Sequence, residues 1–358
     1  MRVLFAGGGT GGHLYPGIAL AHELVRLRPR SAILFVGTAR GLEARLVPRE
    51  GFALETIRVR GLVGRGLARA TAALAALPLA LAEAWSIVRR FRPDLIVGVG
   101  GYAAGPTVVA GRLLRYPIVL LEQNVLPGVT NRLLAPLATL VVAAFEESRT
   151  AMRGRVEVLG NPVRRTVVEA GRVPLPTEAS LLVFGGSQGA ATINRAMVEA
   201  LDTLKTLPDL RIVHQTGAHD YAGTQAAYAA SGVRAKVEPY LDDMASAYAG
   251  AALVVARAGA TSVAEITACG RPAILIPYPH SAHGHQERNA RALVAAGAAD
   301  MIEDRVLGGD RLGGAIVGLF KDRGRLAAMA AASRRLGRPD ACETIAVRCL
   351  ALVEGGRV

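Results

Sequence analysis

The chain has 358 residues, half of them hydrophobic, with 41 glycines and a formal charge of +13. Two domains are the expectation at that length, and the composition suits helices packed closely on buried sheets, which excludes disorder. The charge favours an anionic partner, nucleotide phosphates or a membrane surface; scattered arginines without interleaved aromatics argue against nucleic acid.

Residues 3–6 read as a buried strand, 7–12 (GGGTGG) as a glycine loop, and 16–27 as a helix. Residues 32–36 and 95–99 are further strands, the latter running into GGY, with a helix after Pro106. Strands are also expected at 118–121 and 140–144. After Gly160-Asn161-Pro162-Val163 the pattern restarts with a strand at 181–184, a glycine loop at 185–189 (GGSQG) and a helix at 190–204. Strands at 211–215, 253–256 and 273–277 follow. Apolar strands alternating with helices indicate two parallel, doubly wound sheets, with ligands outside the carboxyl ends of the strands and a cleft between the domains. The expected boundaries are 1–163, 164–340 and a C-terminal helix at 341–358 returning to the first domain. Residues 172–177, with two prolines, read as a linker.

The N-terminus enters the glycine loop without a signal-peptide hydrophobic region, and the uncharged run 70–82 is too short to span a bilayer. A soluble or peripheral protein is expected. Cys269, Cys342 and Cys349 lack CxxC spacing and read as reduced, buried thiols.

Gly7, Gly9 and Gly12 satisfy GxGxxG, yet a dinucleotide site also needs an acidic residue closing the second strand. None stands between Glu23 and Glu43. The loop is better read as backbone that a substrate approaches closely. His13 stands at the helix start, where the dipole keeps an imidazole neutral, as a general base must be. GGSQG places Ser187 at a second helix start and does not fit a P-loop. In RAGATSVAE (257–265) a third helix start could cradle a pyrophosphate, with Glu265 one turn in to take ribose hydroxyls. His280, His283 and His285 lack metal-site spacing, and no metal is expected. Gln286 and Asn289 read as hydrogen-bonding groups for sugar hydroxyls.

Taken together, GGGTGGHLYPGIALA, GVGGYAAGP, LEQNVLPGVTNRLLA, GNPVR, VFGGSQGAATIN, HQTG, YLDDMASAYAGA, RAGATSVAEI and HQERNA resemble the MurG family of UDP-N-acetylglucosamine transferases across nearly the whole chain. The resemblance implies a GT-B fold and transfer of GlcNAc, with inversion, from UDP-GlcNAc to the C4 hydroxyl of MurNAc in undecaprenyl-pyrophosphoryl-MurNAc-pentapeptide (lipid I), without a cofactor. It implies donor contacts at Thr10, Gly11, Gly12, Asn124, Arg164, Ser187, Leu241, Ala260, Thr261, Ser262, Val263, Ala264, Glu265 and Gln286. The acceptor would lie near His13, Tyr102, Glu122 and Asn124, with His13 as base and Glu122 as rival. Ala258 stands where the family often has Ser. Leu74, Leu77, Leu79, Leu81 and Trp85, with Arg65, Arg69, Arg89 and Arg90, suit an anionic inner leaflet and a peripheral place on the cytoplasmic membrane face. Two other readings stay open: another UDP-sugar enzyme, such as a UDP-GlcNAc 2-epimerase or glycolipid transferase, and a non-catalytic nucleotide-sugar or membrane-binding module.

Overall fold

The computed structural model describes residues 1–59, 67–186, 188–281 and 284–355, with backbone alone for 67–75. It divides into two compact units. The first is Met1–Arg164 together with the C-terminal segment from Asp340, and the second is Arg165–Pro339.

In the first unit the described strands are β1 (Arg2–Gly7), β2 (Ala32–Gly37), β3 (Ala53–Thr56), β4 (Leu95–Gly100), β5 (Ile118–Glu122), β6 (Leu140–Ala143) and β7 (Val156–Val158). They pair in parallel in the order β3-β2-β1-β4-β5-β6-β7. β4, β5 and β6 are buried along their whole length because helices cover both faces, which is why they read as continuous apolar runs. On one face the helix Gly11–Leu27 and the C-terminal helix Ala341–Gly355 close a core around Phe5 and Phe35, whose rings stack 4.9 Å apart. Arg348 clamps the C-terminal helix to Glu157 with two bonds of 2.7 and 2.9 Å. The opposite face is covered by the helices Leu67–Phe91, Ala104–Leu113 and Val129–Leu134.

The second unit repeats the plan. β8 (Ser180–Phe184), β9 (Arg211–Gln215), β10 (Arg234–Glu238), β11 (Leu253–Ala256), β12 (Ala273–Leu275) and β13 (Ala299–Met301) pair in parallel in the order β10-β9-β8-β11-β12-β13. In each sheet the order reverses beside the first strand, so the loops after β1 and β4, and after β8 and β11, flank the switch point.

Several expectations need correction. The first helix begins at Gly11, five residues before Pro16, which sits inside it. The helix expected at 190–204 breaks at Ala200 into Ala191–Glu199 and Leu201–Leu204. Residues 172–177 lie within the second unit, where the buried Arg271 guanidinium donates to the carbonyls of Val173 and Pro174. β3, β7, β10 and β13 went unpredicted because they are outer, half-exposed strands with no continuous apolar run. No helix among the described residues is long and apolar enough to cross a membrane.

Candidate functional site

In the first unit, the loops that follow β1 and β4 interlock through glycine. A Cβ on Gly7 would lie 2.0 Å from the Gly100 carbonyl oxygen, and one on Gly101 would lie 2.4 Å from that of Gly8. Only backbone fits there, and the Gly8 N–H donates to Gly100 O at 3.2 Å. Thr10 is the N-cap residue of the helix, followed by Gly11, Gly12 and His13 in its first turn. The His13 ring lies against Gly100, and its Nδ1 is 3.2 Å from Thr10 Oγ1. Tyr102, just beyond Gly101, is 43% exposed. Arg164 sets its guanidinium 5.1 Å from the centre of the Tyr15 ring, one turn of helix above the glycines. Thr10, His13 and Tyr102 thus gather on the interlocked loops.

Glu122 is held by donors on every side. It ends β5, is 3% exposed, and each of its oxygens takes two donors. Oε1 accepts the N–H and side-chain amide of Asn124, and Oε2 accepts the Gly128 N–H and the Asn131 amide, at 2.9 to 3.3 Å. Burial raises its pKa above the ordinary carboxylate value, and these donors offset only part of that rise. A carboxylate saturated in this way anchors the loop 123–128, and Asn124 faces it as part of that anchor.

Sequence reasoning missed Glu43. It is 1% exposed, and its carboxylate accepts the Gly9 N–H, the Thr38 N–H and the Thr38 hydroxyl, each at 2.8 Å. The first glycine loop therefore already holds an anion, and a phosphate at the Gly9 amide would meet like charge. The missing acidic residue at the end of β2 and this carboxylate together explain why the loop is no dinucleotide site.

In the second unit the loop after β8 interlocks with the loop after β9: a Cβ on Gly189 would lie 1.8 Å from Thr216 O, and one on Gly217 2.0 Å from Gln188 O. The side chain that touches this loop is neutral. Asn194 donates its amide to Thr216 O and to Asp220 at 2.8 Å each, so its oxygen must accept, and His214 Nε2–H donates to it at 3.0 Å. His214 Nδ1 then accepts from Tyr228 O–H at 3.1 Å. Full burial lowers the His214 pKa to about 3 and keeps the ring uncharged. Ser187 lies outside the described residues.

The helix Ala260–Ala268 begins at N-cap Gly259 after β11. Its first turn holds Ala260, Thr261, Ser262 and Val263, with amides directed along the axis as an anion site requires. Val263 is buried and offers backbone alone, and Ala264 is half-buried. Glu265, 6% exposed, accepts the Tyr248 hydroxyl at 3.2 Å, which fixes its carboxylate. Asn289 is fully buried and donates to Ala258 O at 3.1 Å, so it supports this loop from beneath. Gln286, in the first turn of the helix His285–Ala295, accepts the Tyr278 N–H at 2.9 Å. Sequence reasoning also missed the role of Arg257. Its buried guanidinium binds Asp304 at 2.5 Å, Thr192 at 2.8 Å and the carbonyls of Ile276 and Pro277 at 3.2 Å, tying the loops after β11 and β12 to the helix start at 191. Leu241 lines a groove of about 410 Å³ with Val213, Lys236, Tyr240 and Asp242, beside the start of the helix Met244–Ala249.

Among the described residues no group of three His, Cys, Asp or Glu could hold a metal ion; His283 lies outside them. Of the apolar residues expected to face a membrane, Leu77 and Leu79 are exposed, whereas Leu81 and Trp85 pack onto the core. Arg89 is exposed and Arg90 pairs with Glu55; Arg65 lies outside the described residues, as do the side chains of Arg69 and Leu74.

Residues 3–143 match the glycosyltransferase family 28 N-terminal domain, and residues 180–345 the family 28 C-terminal domain. A UDP-N-acetylglucosamine--N-acetylmuramyl-(pentapeptide) pyrophosphoryl-undecaprenol N-acetylglucosamine transferase from Myxococcus xanthus is 48% identical over 99% of this chain and 93% of its own length. The crystal structure of Acinetobacter baumannii MurG superposes with a TM-score of 0.78 at 29% identity, covering 98% of this chain and 99% of that one. A UDP-GlcNAc 2-epimerase from Neisseria meningitidis, bound to UDP-GlcNAc, gives a TM-score of 0.67 at 13% identity over 98% of this chain and 99% of its own, a likeness of fold alone. The fold is the two-domain α/β arrangement of GT-B glycosyltransferases.

Proposed function

The chain belongs to the MurG family, within glycosyltransferase family 28, and from that membership we propose that it moves GlcNAc from UDP-GlcNAc to the C4 hydroxyl of MurNAc in undecaprenyl-pyrophosphoryl-MurNAc-pentapeptide. The fold is shared with UDP-GlcNAc 2-epimerases, so fold does not choose between transfer and epimerisation. Near-full-length identity to the transferases carries the choice.

The first unit supplies the acceptor side. His13 takes the proton of the attacking hydroxyl: with its own proton on Nδ1 and donated to Thr10 Oγ1, Nε2 carries the lone pair. Inversion needs one base and no covalent nucleophile. Glu122, with both oxygens committed to donors, is the weaker choice. The second unit supplies the donor side. Amides at the starts of the helices at 191 and 260, with Ser187, stabilise the charge growing on departing UDP without a metal. Glu265, aimed by Tyr248, receives ribose hydroxyls; the backbone near Leu241 meets the uracil edge, and Gln286 a sugar hydroxyl. From the first unit, Thr10, Gly11, Gly12, Asn124 and Arg164 complete the donor contacts.

The enzyme works at the cytoplasmic membrane face, on an anionic leaflet. Exposed Leu77 and Leu79, together with Leu113 and Leu133 beside exposed Arg112 and Arg132, support this on the helices covering one face of the first sheet. Binding to vesicles should require anionic lipid and weaken with salt; co-sedimentation indifferent to both would remove the membrane reading.

His13→Ala tests the chemistry, assayed by transfer from labelled UDP-GlcNAc to a lipid I analogue. Turnover should fall about 10²–10⁴-fold with UDP-GlcNAc affinity within about twofold. Unchanged kcat would overturn the base, and consumption of UDP-GlcNAc without acceptor would overturn transfer.

A further inference from the structure

Glu43 has no part in the functional reading above, yet the fold is shaped to hold it. Its side chain enters a space bounded by three glycines. A Cβ on Gly8 would lie 2.5 Å from Oε2, one on Gly41 2.2 Å from Oε1, and one on Gly37 2.4 Å from Cγ. Gly37 and Gly41 have no positive φ, so what demands glycine there is room for this carboxylate. Its described partners are two amides and a hydroxyl, all donors.

The bond to Gly9 matters most. Gly7, Gly8 and Gly9 adopt φ of 134°, 144° and 88° in succession and have no side chains with which to hold that path. Gly100 fixes the near end of the loop through the Gly8 N–H, and Glu43 fixes the far end through the Gly9 N–H. The next residue is Thr10, whose hydroxyl meets His13 Nδ1 and whose carbonyl accepts the His13 and Leu14 amides. A shift of Gly9 is therefore passed directly to the imidazole.

We propose that Glu43 is a positioning residue for glycosyl transfer, pinning Gly9 so that Thr10 holds the His13 ring in its working orientation. This rests on the reading of His13 as base. Glu43→Gln keeps the shape: the amide oxygen can still take both Thr38 donors, while the NH₂ group faces the Gly9 N–H, donor against donor. The E43Q enzyme should lose about 10²-fold in kcat, since small misplacements of a base cost that much. Its Kd for UDP, whose phosphates the second unit holds, should stay within about twofold of the parent. In an H13A background, E43Q should have no further effect, because the two act as one unit.

Normal turnover of E43Q beside a slow H13A overturns this inference alone. So does an E43Q effect that multiplies in the H13A background, or a loss of UDP binding in step with turnover. Normal turnover of H13A overturns the base assignment and this inference with it. If E43Q does not fold, Thr38→Val carries the same test: it takes only the hydroxyl from the carboxylate, and its expected loss of about tenfold should likewise vanish beside H13A.

Discussion

The glycine loops after β1 and β8 share one plan, strand to glycines to helix, and differ in what holds them. The first is pinned by a carboxylate, Glu43, on a loop amide. The second is held through a backbone carbonyl, Thr216 O, by the uncharged amide of Asn194, with neutral His214 and the Asp220 carboxylate behind it. An anion built into a loop repels phosphate from it, whereas a neutral pin leaves the helix-start amides to a ligand. Two similar units can thus divide the work of a transferase, one toward a neutral hydroxyl and its base, the other toward a diphosphate. The distinction lies in what satisfies the loop.

The largest test substitutes the interlocking glycine on each side. Gly7→Ala and Gly189→Ala both force a methyl against a backbone carbonyl in positive-φ backbone, each at a cost of about 3 kcal/mol or more. Their functional effects should separate. Gly189→Ala should cut UDP affinity at least tenfold, and Gly7→Ala should cut kcat while UDP still binds. Calorimetric titration with UDP beside turnover measures both, and equal loss of UDP binding in the two variants would erase the distinction.

How much of this the sequence could tell depends on whether a role is local. Central strands such as Leu95–Gly100 and Leu253–Ala256 announce themselves as apolar runs because both faces are covered. His13 and the glycine loops are legible because a helix start is encoded in consecutive residues. Glu43 is not: its partner Gly9 lies 34 residues away, and only the folded β1–β2 pairing brings them together. The Asn289 bond to Ala258 O is not legible either, because an amide near a helix start reads alike whether it points to solvent or, as here, inward. The role of Arg257 stays hidden until three loops converge on it.

A smaller effect tests whether Glu122 belongs with the pins or with the chemistry. Glu122→Ala strands four donors in buried surroundings, at about 3 kcal/mol, and lowers the melting temperature of the first unit. Glu122→Gln retains some acceptors and should keep most of the activity at its lower stability. If E122Q were folded, stable and as slow as H13A, Glu122 would be the base and the first loop would lose its assigned chemistry.

The smallest effect concerns the neutral pin and its pH dependence. The folded pKa of His214, about 3, lies below the ordinary value of 6.5. The unfolded chain therefore binds one more proton between those values, and the stability that the neutral ring contributes is full above pH 6.5 and declines as pH falls toward 3. From pH 7 to pH 5 the loss is about 2 kcal/mol. His214→Gln, which can still donate to Asn194, should flatten that slope by one proton in denaturant titrations across this window while leaving the pH profile of kcat, set by the first unit, in place. An unchanged slope would mean that His214 does not stay neutral in the fold, and the contrast between a charged and an uncharged pin would fail at its second member.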